Sequence, residues 1–534
     1  MPPPPLLAPE RRPMRPATRF EKAAQLVFGR LGSNLPPPVT VAEDAARVAA
    51  LLERCPLGGF ALFNGSLPGT PETLAALQAK SRFPFLVATD MERGVGQQVR
   101  GATVFPHAMA FAALGDDAEA AVEASARIAA REALACGLHV TFAPVADVNR
   151  DPRNPIIATR AFGTDPERAA RLVRAYVRGA RAEGLFATAK HFPGHGNTHA
   201  DSHAGLPVVP GDRAEWARTD AVPFRAAVAE GVDLMMTAHV VYPALDPAGA
   251  PATASRPILH DLLRGELGFR GVVITDSLLM AAVRAAPEAV GAQAAALVRA
   301  GVDVLLDAPD PEAAVAGLVR AVEAGDLSEA RLEEAFTRVW SLKETLMARF
   351  GDDVFTHPPP FDAGTAAHRA VADDVAERAV TILKDTPDAW PDAPDGEGMT
   401  ALLVRPHTSH LDPPEAPLGA MVRAAFPAAE YVEIGPDAGE AGLRAVSARV
   451  ERARRVVLAL VVQPAAWHAF GLTPAQHAFA EALTARRPVT LAALGSPLIL
   501  DAFPHAPVRL CTYSDVAASQ RALVRLLRRR VRAR

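Results

Sequence analysis

The stretch KHFPGHGNTHADSH, Lys190 to His203, places His191, His195, His199 and His203 four residues apart. On a helix that period would stack four imidazoles on one face, as a metal-binding ladder does. In a loop the same residues could move protons, or the spacing could be an accident. The intervening residues decide. Pro193 removes a helical hydrogen bond and clashes with the preceding turn, and Gly194 and Gly196 add backbone freedom. A continuous helix is excluded, and with it the geometric sense of the ladder, so no metal site is expected. The reading is a strand ending at His191, a glycine-rich turn, and a loop that carries Asp201 and His203.

Other titratable residues stand at comparable places. Asp90, Asp147, His191, His239 and Asp276 each end a short, nearly continuous apolar run. Eight such runs occur: QLVFGR (Gln25–Arg30), GFALFNG (Gly59–Gly65), FLVATD (Phe85–Asp90), VTFAPVAD (Val140–Asp147), FATAKH (Phe186–His191), LMMTAH (Leu234–His239), GVVITD (Gly271–Asp276) and VDVLLDA (Val302–Ala308). Runs of this kind fit parallel strands buried on both faces. Helical segments separate them. One runs from Asp116, read as its N-cap, to Gly137; a second from Asp165 to Gly184, with Pro166 at its first position; a third starts at Asp310. Eight alternations predict an α/β chain folded as a (β/α)8 TIM-like barrel, with an open doubly wound sheet as the alternative. In a barrel the polar strand ends converge on one face, where chemistry is done.

The chain has 534 residues, more than one core usually holds, with 49% hydrophobic and 22% charged residues, as in a globular protein. The barrel is assigned to 18–351, after a proline-rich disordered lead-in at 1–17. A proline-rich linker is assigned to 352–365, and a second, open α/β sandwich domain to 366–534. A net charge of −4 gives no bias toward nucleic acid or an anionic membrane. No run is long and apolar enough to span a bilayer, and no secretory signal is recognised at the N-terminus. The basic C-terminal stretch RALVRLLRRRVRAR is read as a solvated last helix. Cys55, Cys136 and Cys511 form no disulfide or zinc pattern, which fits a reducing compartment. The expectation is a cytoplasmic monomer without a cofactor.

The sequence KHFPGHG, followed four residues later by DSH, resembles the signature of bacterial β-N-acetylglucosaminidases of glycoside hydrolase family 3. DVNRDPRNPIIATRAFGTDP (Asp147–Pro166), FLVATDMERG (Phe85–Gly94) and GVVITDSLLM (Gly271–Met280) are similar to further segments of that family, and GSPLILDAFPHAP (Gly495–Pro507) to its second domain. The resemblance implies that Asp276 is the catalytic nucleophile, His203 the general acid/base and Asp201 its partner. It implies that Asp90, Arg160, Lys190 and His191 hold the sugar. The implied activity is release of terminal β-linked GlcNAc with retention. The implied substrate is a small glycoside or a muropeptide from peptidoglycan recycling. Two places depart from the pattern. The early loop reads DMERGVGQQVRG, leaving Arg100 or Gln98 as the extra sugar contact, and Ser277 follows the nucleophile where an acidic residue is common.

The chemistry is coherent. Retention needs a nucleophile on one face of the sugar and a proton donor on the other. A carboxylate forms the covalent glycosyl intermediate. A histidine, with an ordinary pKa near 6.5, can serve as donor, and a neighbouring carboxylate orients the ring. Alternatives on the same scaffold are a β-N-acetylglucosaminide phosphorylase, since a histidine tolerates an anionic acceptor, and a β-glucosidase. A non-catalytic saccharide-binding protein is the alternative outside enzymes. His195 is read as structural and His199 as a solvated loop residue. His239 and Glu92 are each left between a pocket role and a local structural one. None of Trp216, Trp340, Trp390 and Trp467 is given a stacking role.

Overall fold

The computed structural model describes residues 14–198, 206–409, 415–464 and 470–532. Eight parallel strands form the first unit: β1 Val27–Leu31, β2 Gly59–Leu62, β3 Leu86–Thr89, β4 Val140–Thr141, β5 Phe186–Phe192, β6 Leu234–Thr237, β7 Val272–Thr275 and β8 Leu305–Leu306. Their hydrogen-bonded order is β8-β1-β2-β3-β4-β5-β6-β7. The ring closes through a parallel bridge between Ile274 and Val304, with Thr275 N donating to Val304 O at 3.0 Å. Each strand runs as the sequence predicts, although β4 and β8 are only two residues long.

Alternation builds the barrel. Phe28, Ala61, Leu86, Ala88, Phe186, Leu234, Met236, Val272 and Ile274 fill its interior as one buried cluster. Their strand neighbours Val27, Phe60, Leu62, Val87, Ala187, Met235 and Val273 belong to the cluster shared with the helices. Both faces of every strand are therefore dry, which is why the runs read as continuously apolar.

The helices start on the predicted caps in two of three cases, and the third still stops before its predicted glycine, Gly137, at φ 75°. Asp165 caps Pro166–Glu183 by accepting from Glu167 N and Arg168 N, and Gly184 ends it with φ 98°. Asp310 caps Pro311–Ala324. The third differs: Gly115–Asp117 form a 3-10 turn, and the helix runs Ala118–Ala135 without a side-chain cap. Asp116 and Asp117 bend the chain in that turn, so neither sits at the helix end with the extended backbone an N-cap needs.

The second sheet has six strands, β9 Thr381–Lys384, β10 Met399–Val404, β11 Glu430–Ile434, β12 Arg455–Val462, β13 Val489–Gly495 and β14 Val508–Cys511, in the order β9-β14-β13-β12-β10-β11. All pairs are parallel except β9 with β14. A separate apolar cluster covers each face. The basic last helix, Ala517–Arg532, buries Leu523, Val524, Leu527 and Val531 in one of them. On its outer side Arg521 pairs with Asp373, Arg529 with Glu377 and Arg530 with Asp385. These three arginines pair with this domain's own carboxylates.

The two units touch at buried polar points. Glu132, on a barrel helix, accepts from Thr103 N (2.8 Å), Gly364 N (2.8 Å) and His368 Nδ1 (2.7 Å). His107 Nδ1 lies 2.8 Å from Ser514 Oγ, and Thr159 Oγ1 donates to Gln463 Oε1 at 2.9 Å.

Candidate active site

The strand ends that the sequence singles out meet at one mouth of the barrel. β5 delivers Lys190 and His191, the residues after β3 deliver Asp90 and Glu92, and Asp276 follows β7. Arg160 arrives on a one-turn 3-10 helix, Ala158–Arg160.

Lys190 Nζ donates to Asp90 Oδ1 at 2.7 Å and to Glu92 Oε1 at 2.6 Å. Arg160 binds Glu92 through both ends of its fork, Nε to Oε2 at 2.9 Å and Nη2 to Oε1 at 2.7 Å, and donates from Nη1 to Ile156 O at 2.9 Å. Two cations thus share two carboxylates. Burial opposes ionisation of Glu92, but Arg160 and Lys190 outweigh it and hold the carboxyl well below its usual range. Burial opposes the charge on Lys190 in turn, and Asp90 and Glu92 more than restore it. The Lys190 side chain is 2% exposed and that of Asp90 32%. Within this pair Asp90 is the member a ligand reaches from solvent.

A second network holds His191. Asp147 is fully buried; its Oδ2 accepts from His191 N at 3.1 Å and from His191 Nδ1 at 2.7 Å. Arg160 Nη2 lies 3.5 Å from His191 Nε2. A proton on Nδ1 satisfies Asp147 and leaves Nε2 to face the guanidinium. The other Asp147 oxygen accepts from His195 N at 2.7 Å. One carboxylate therefore ties the end of β5 to the turn that follows.

That turn is closely packed. His195 is buried, with Nδ1 3.0 Å from Thr198 Oγ1, and burial pushes its pKa down to about 4. Asn154 donates to His195 O at 2.8 Å while its own oxygen accepts from Ile156 N and Ile157 N. Gly196 lies so close to Val148 that a Cβ would meet the Val148 carbonyl oxygen at 1.7 Å, which makes glycine obligatory. No helix runs through 191–198, so the ladder is broken as the proline and glycines predict. Among the described residues no group of three or more His, Cys, Asp or Glu side chains is placed to hold a metal.

Asp276 Oδ1 accepts from Ser277 N at 2.7 Å. Burial alone would raise this carboxyl. The imidazoles of His191 and His239, the Ser277 N–H and Lys190 outweigh it and hold the carboxyl below its usual 3.8. His239 donates from Nε2 to Ser277 O at 3.2 Å and has Nδ1 2.8 Å from Thr253 Oγ1. Ser277 Oγ donates to Asp307 Oδ2 at 2.7 Å, and Arg30 holds Asp307 from Nε at 3.0 Å. Ser277 thus uses both its backbone and its hydroxyl to fix the segment that presents Asp276.

The structure brings together Asp90, Arg160, Lys190, His191 and Asp276. Asp201 and His203 lie outside the described residues, as does His199. Glu92, left between two readings by the sequence, is an ion-pair partner of Arg160 and Lys190. His239 is a ligand of a backbone carbonyl. Arg100 is exposed and donates to Asn64 Oδ1 at 2.6 Å, and Gln98 accepts from Asn34 Nδ2 at 2.8 Å. Both candidates for the extra sugar contact are engaged elsewhere. The sequence noted Asp147 only as a strand end; nothing in its local pattern distinguishes a carboxylate that faces ligand from one that supports a histidine. Trp216 is buried, donating to Pro193 O at 2.9 Å, and Trp390 donates to Asp385 Oδ1 at 2.7 Å, so neither is a sugar platform.

The arrangement is a carboxylate kept ionised at the barrel mouth, beside a buried set of charges able to grip hydroxyls. The family model described as "Glycosyl hydrolase family 3 N terminal domain" matches residues 21–342. The chain is 33% identical over 366 residues to a "Beta-N-acetylglucosaminidase/beta-glucosidase" from Cellulomonas fimi, covering 66% of this chain and 64% of that protein. It is 40% identical over 275 residues to a "Beta-hexosaminidase" from Pseudomonas aeruginosa, covering 51% and 81%. The chain thus spans less than two thirds of the length of the Cellulomonas relative. Among solved structures it superposes on a glycoside hydrolase family 3 β-N-acetylglucosaminidase from Paenibacillus sp. str. FPU-7 with a TM-score of 0.83 at 31% identity, over 96% of this chain and 97% of that one.

Proposed function

Given that this chain belongs to glycosyl hydrolase family 3, we propose that it is a retaining exo-β-N-acetylglucosaminidase. Residues 18–351 form its catalytic unit, 352–365 its linker and 366–534 a supporting domain. The observation that carries the reading is Asp276, a carboxylate at the end of a barrel strand that accepts from Ser277 N and stands among His191, His239 and Lys190. It attacks the anomeric carbon and forms the glycosyl-enzyme ester. His203, oriented by Asp201, protonates the leaving oxygen and then takes the proton from the attacking water. Asp90, Lys190, Arg160 and His191 position the terminal sugar. Lys and Arg donate only, and Asp90 accepts, so the set reads hydroxyls of opposite hydrogen-bonding sense. The curated relatives named for β-hexosaminidase activity support the choice of sugar. The natural substrate is a muropeptide fragment of peptidoglycan. The enzyme works as a cytoplasmic monomer; its three cysteines are buried and unpaired, as a reducing compartment favours. Among the described residues no helix is long and apolar enough to cross a membrane.

A second reading has one observation in its favour: the Cellulomonas relative is named for β-glucosidase activity as well. The test is release of aryl alcohol from aryl β-GlcNAc and aryl β-glucoside, with EDTA and with or without phosphate, by wild type and Asp276→Asn. The expected result is hydrolysis of the GlcNAc substrate that ignores EDTA and phosphate and falls about 10³-fold or more in the variant. Equal rates on the glucoside would make it a dual enzyme. GlcNAc-1-phosphate as product would make it a phosphorylase, and saccharide binding without turnover a sensor.

A further inference from the structure

A cavity of about 480 Å³ lies outside the barrel wall, between the helix Pro257–Glu266, the end of the helix Val290–Ala300 and the start of the helix Glu329–Phe350. Five arginines line it: Arg256, Arg264, Arg299, Arg331 and Arg338. Against them stand two carboxylates, Glu334 on the wall and Asp303 buried behind it. Asp303 accepts from Arg264 at 2.6 Å, Arg331 at 2.7 Å, Arg338 at 3.1 Å and Val273 N at 3.0 Å. Part of the cluster is therefore structural, fastening β7 at the end opposite Asp276.

Structure does not account for all of it. One buried carboxylate and one exposed one cannot neutralise three guanidiniums. Burial already opposes the charge on Arg264, and Arg338 and Arg331 add to that opposition. The exposed side chains of Arg256 and Arg299 add two more charges and have no hydrogen-bond or ion-pair partner among the described residues. A concave, unbalanced set of guanidiniums concentrates positive potential. Their planar forks match the paired oxygens of phosphate. The volume is that of a small-molecule pocket rather than a groove for a chain. A lone carboxylate ligand would leave most of the excess charge unanswered, whereas two joined phosphoryl groups match it.

We propose that this cavity is a binding site for a small molecule bearing a diphosphate group, separate from the sugar pocket. The test is calorimetric titration of the full chain with inorganic pyrophosphate at constant ionic strength, for wild type and the double variant Arg256→Ala/Arg299→Ala. Neither replaced side chain has a structural partner, so the variant should melt as wild type does without pyrophosphate. The expected result is one saturable site that the variant weakens about tenfold or more and that excess GlcNAc leaves in place. Absence of saturable binding, equal affinity in the variant, or displacement by GlcNAc would each overturn the proposal.

Discussion

Glu92 shows how a single side chain can govern a site it need not touch. It binds both ends of the Arg160 fork and shares the buried Lys190 with Asp90. Replacing it by glutamine keeps the shape and removes the charge. We expect Glu92→Gln to lower stability by roughly 3 kcal/mol, because breaking one side of a buried ion pair leaves the other uncompensated. The proposed hydrolysis should fall with it, through loss of kcat as well as a raised KM, since Lys190 and Arg160 are no longer held. Thermal melts and steady-state kinetics on an aryl β-GlcNAc check both. A variant as stable as wild type would show that Asp90 alone is enough to hold Lys190. The Ser277 position makes the related point. Where an acidic residue is common in the resembling family, a serine here gives Asp276 a backbone hydrogen bond and ties the segment to Asp307 through its hydroxyl, without adding a second negative charge beside the proposed nucleophile.

Elements set where those side chains stand. The turn after β5 is held by Asp147, Asn154 and Thr198, and it is shut tightly enough to keep His195 neutral. Its pKa, about 4 in the fold against about 6.5 in an unfolded chain, has a definite sign. Between those values the unfolded chain binds the extra proton, so stability falls as pH drops from 6.5 to 4. The slope is at most ~1.4 kcal/mol per pH unit for this one group. Because other buried groups titrate nearby, such as Asp233 with its pKa raised to about 6 by burial, the difference between proteins is the informative quantity. The stability advantage of wild type over His195→Asn should shrink over that window and stay constant above pH 7. Denaturant melts at several pH values measure it; a constant difference would mean that His195 binds its proton equally well in the folded and the unfolded chain.

At the scale of the whole molecule, the barrel and the second domain are joined by buried polar bonds. Glu132 sits at the junction, fully buried, accepting from Thr103, Gly364 and His368. Glu132→Ala strands these donors and should cost about 2–4 kcal/mol at the interface. The expected signature is a wild-type protein that melts in one calorimetric transition and a variant that melts in two. A single transition in both would mean that apolar packing carries the coupling. The Thr159–Gln463 bond has a second consequence: it ties the second domain to the segment that presents Arg160, next to the proposed sugar site. The second domain thereby contacts the residue that precedes a proposed binding residue.

The amino-acid sequence by itself determined the alternation of eight apolar runs with helices, and the burial of both strand faces made those runs legible. It determined that the histidine ladder could not be helical, because Pro193 and the glycines carry local backbone constraints. The caps at Asp165 and Asp310 were legible for the same reason, since a cap depends on neighbours in the chain. What only the tertiary structure decided is which partner each polar strand end takes. Asp90 and Asp147 look alike in sequence, yet one faces solvent beside Lys190 and the other is sealed beneath His191. Their partners lie 100 and 44 residues away. The arginine cavity was invisible for that reason too, since its guanidiniums come from three separated helical segments and meet only when the barrel closes.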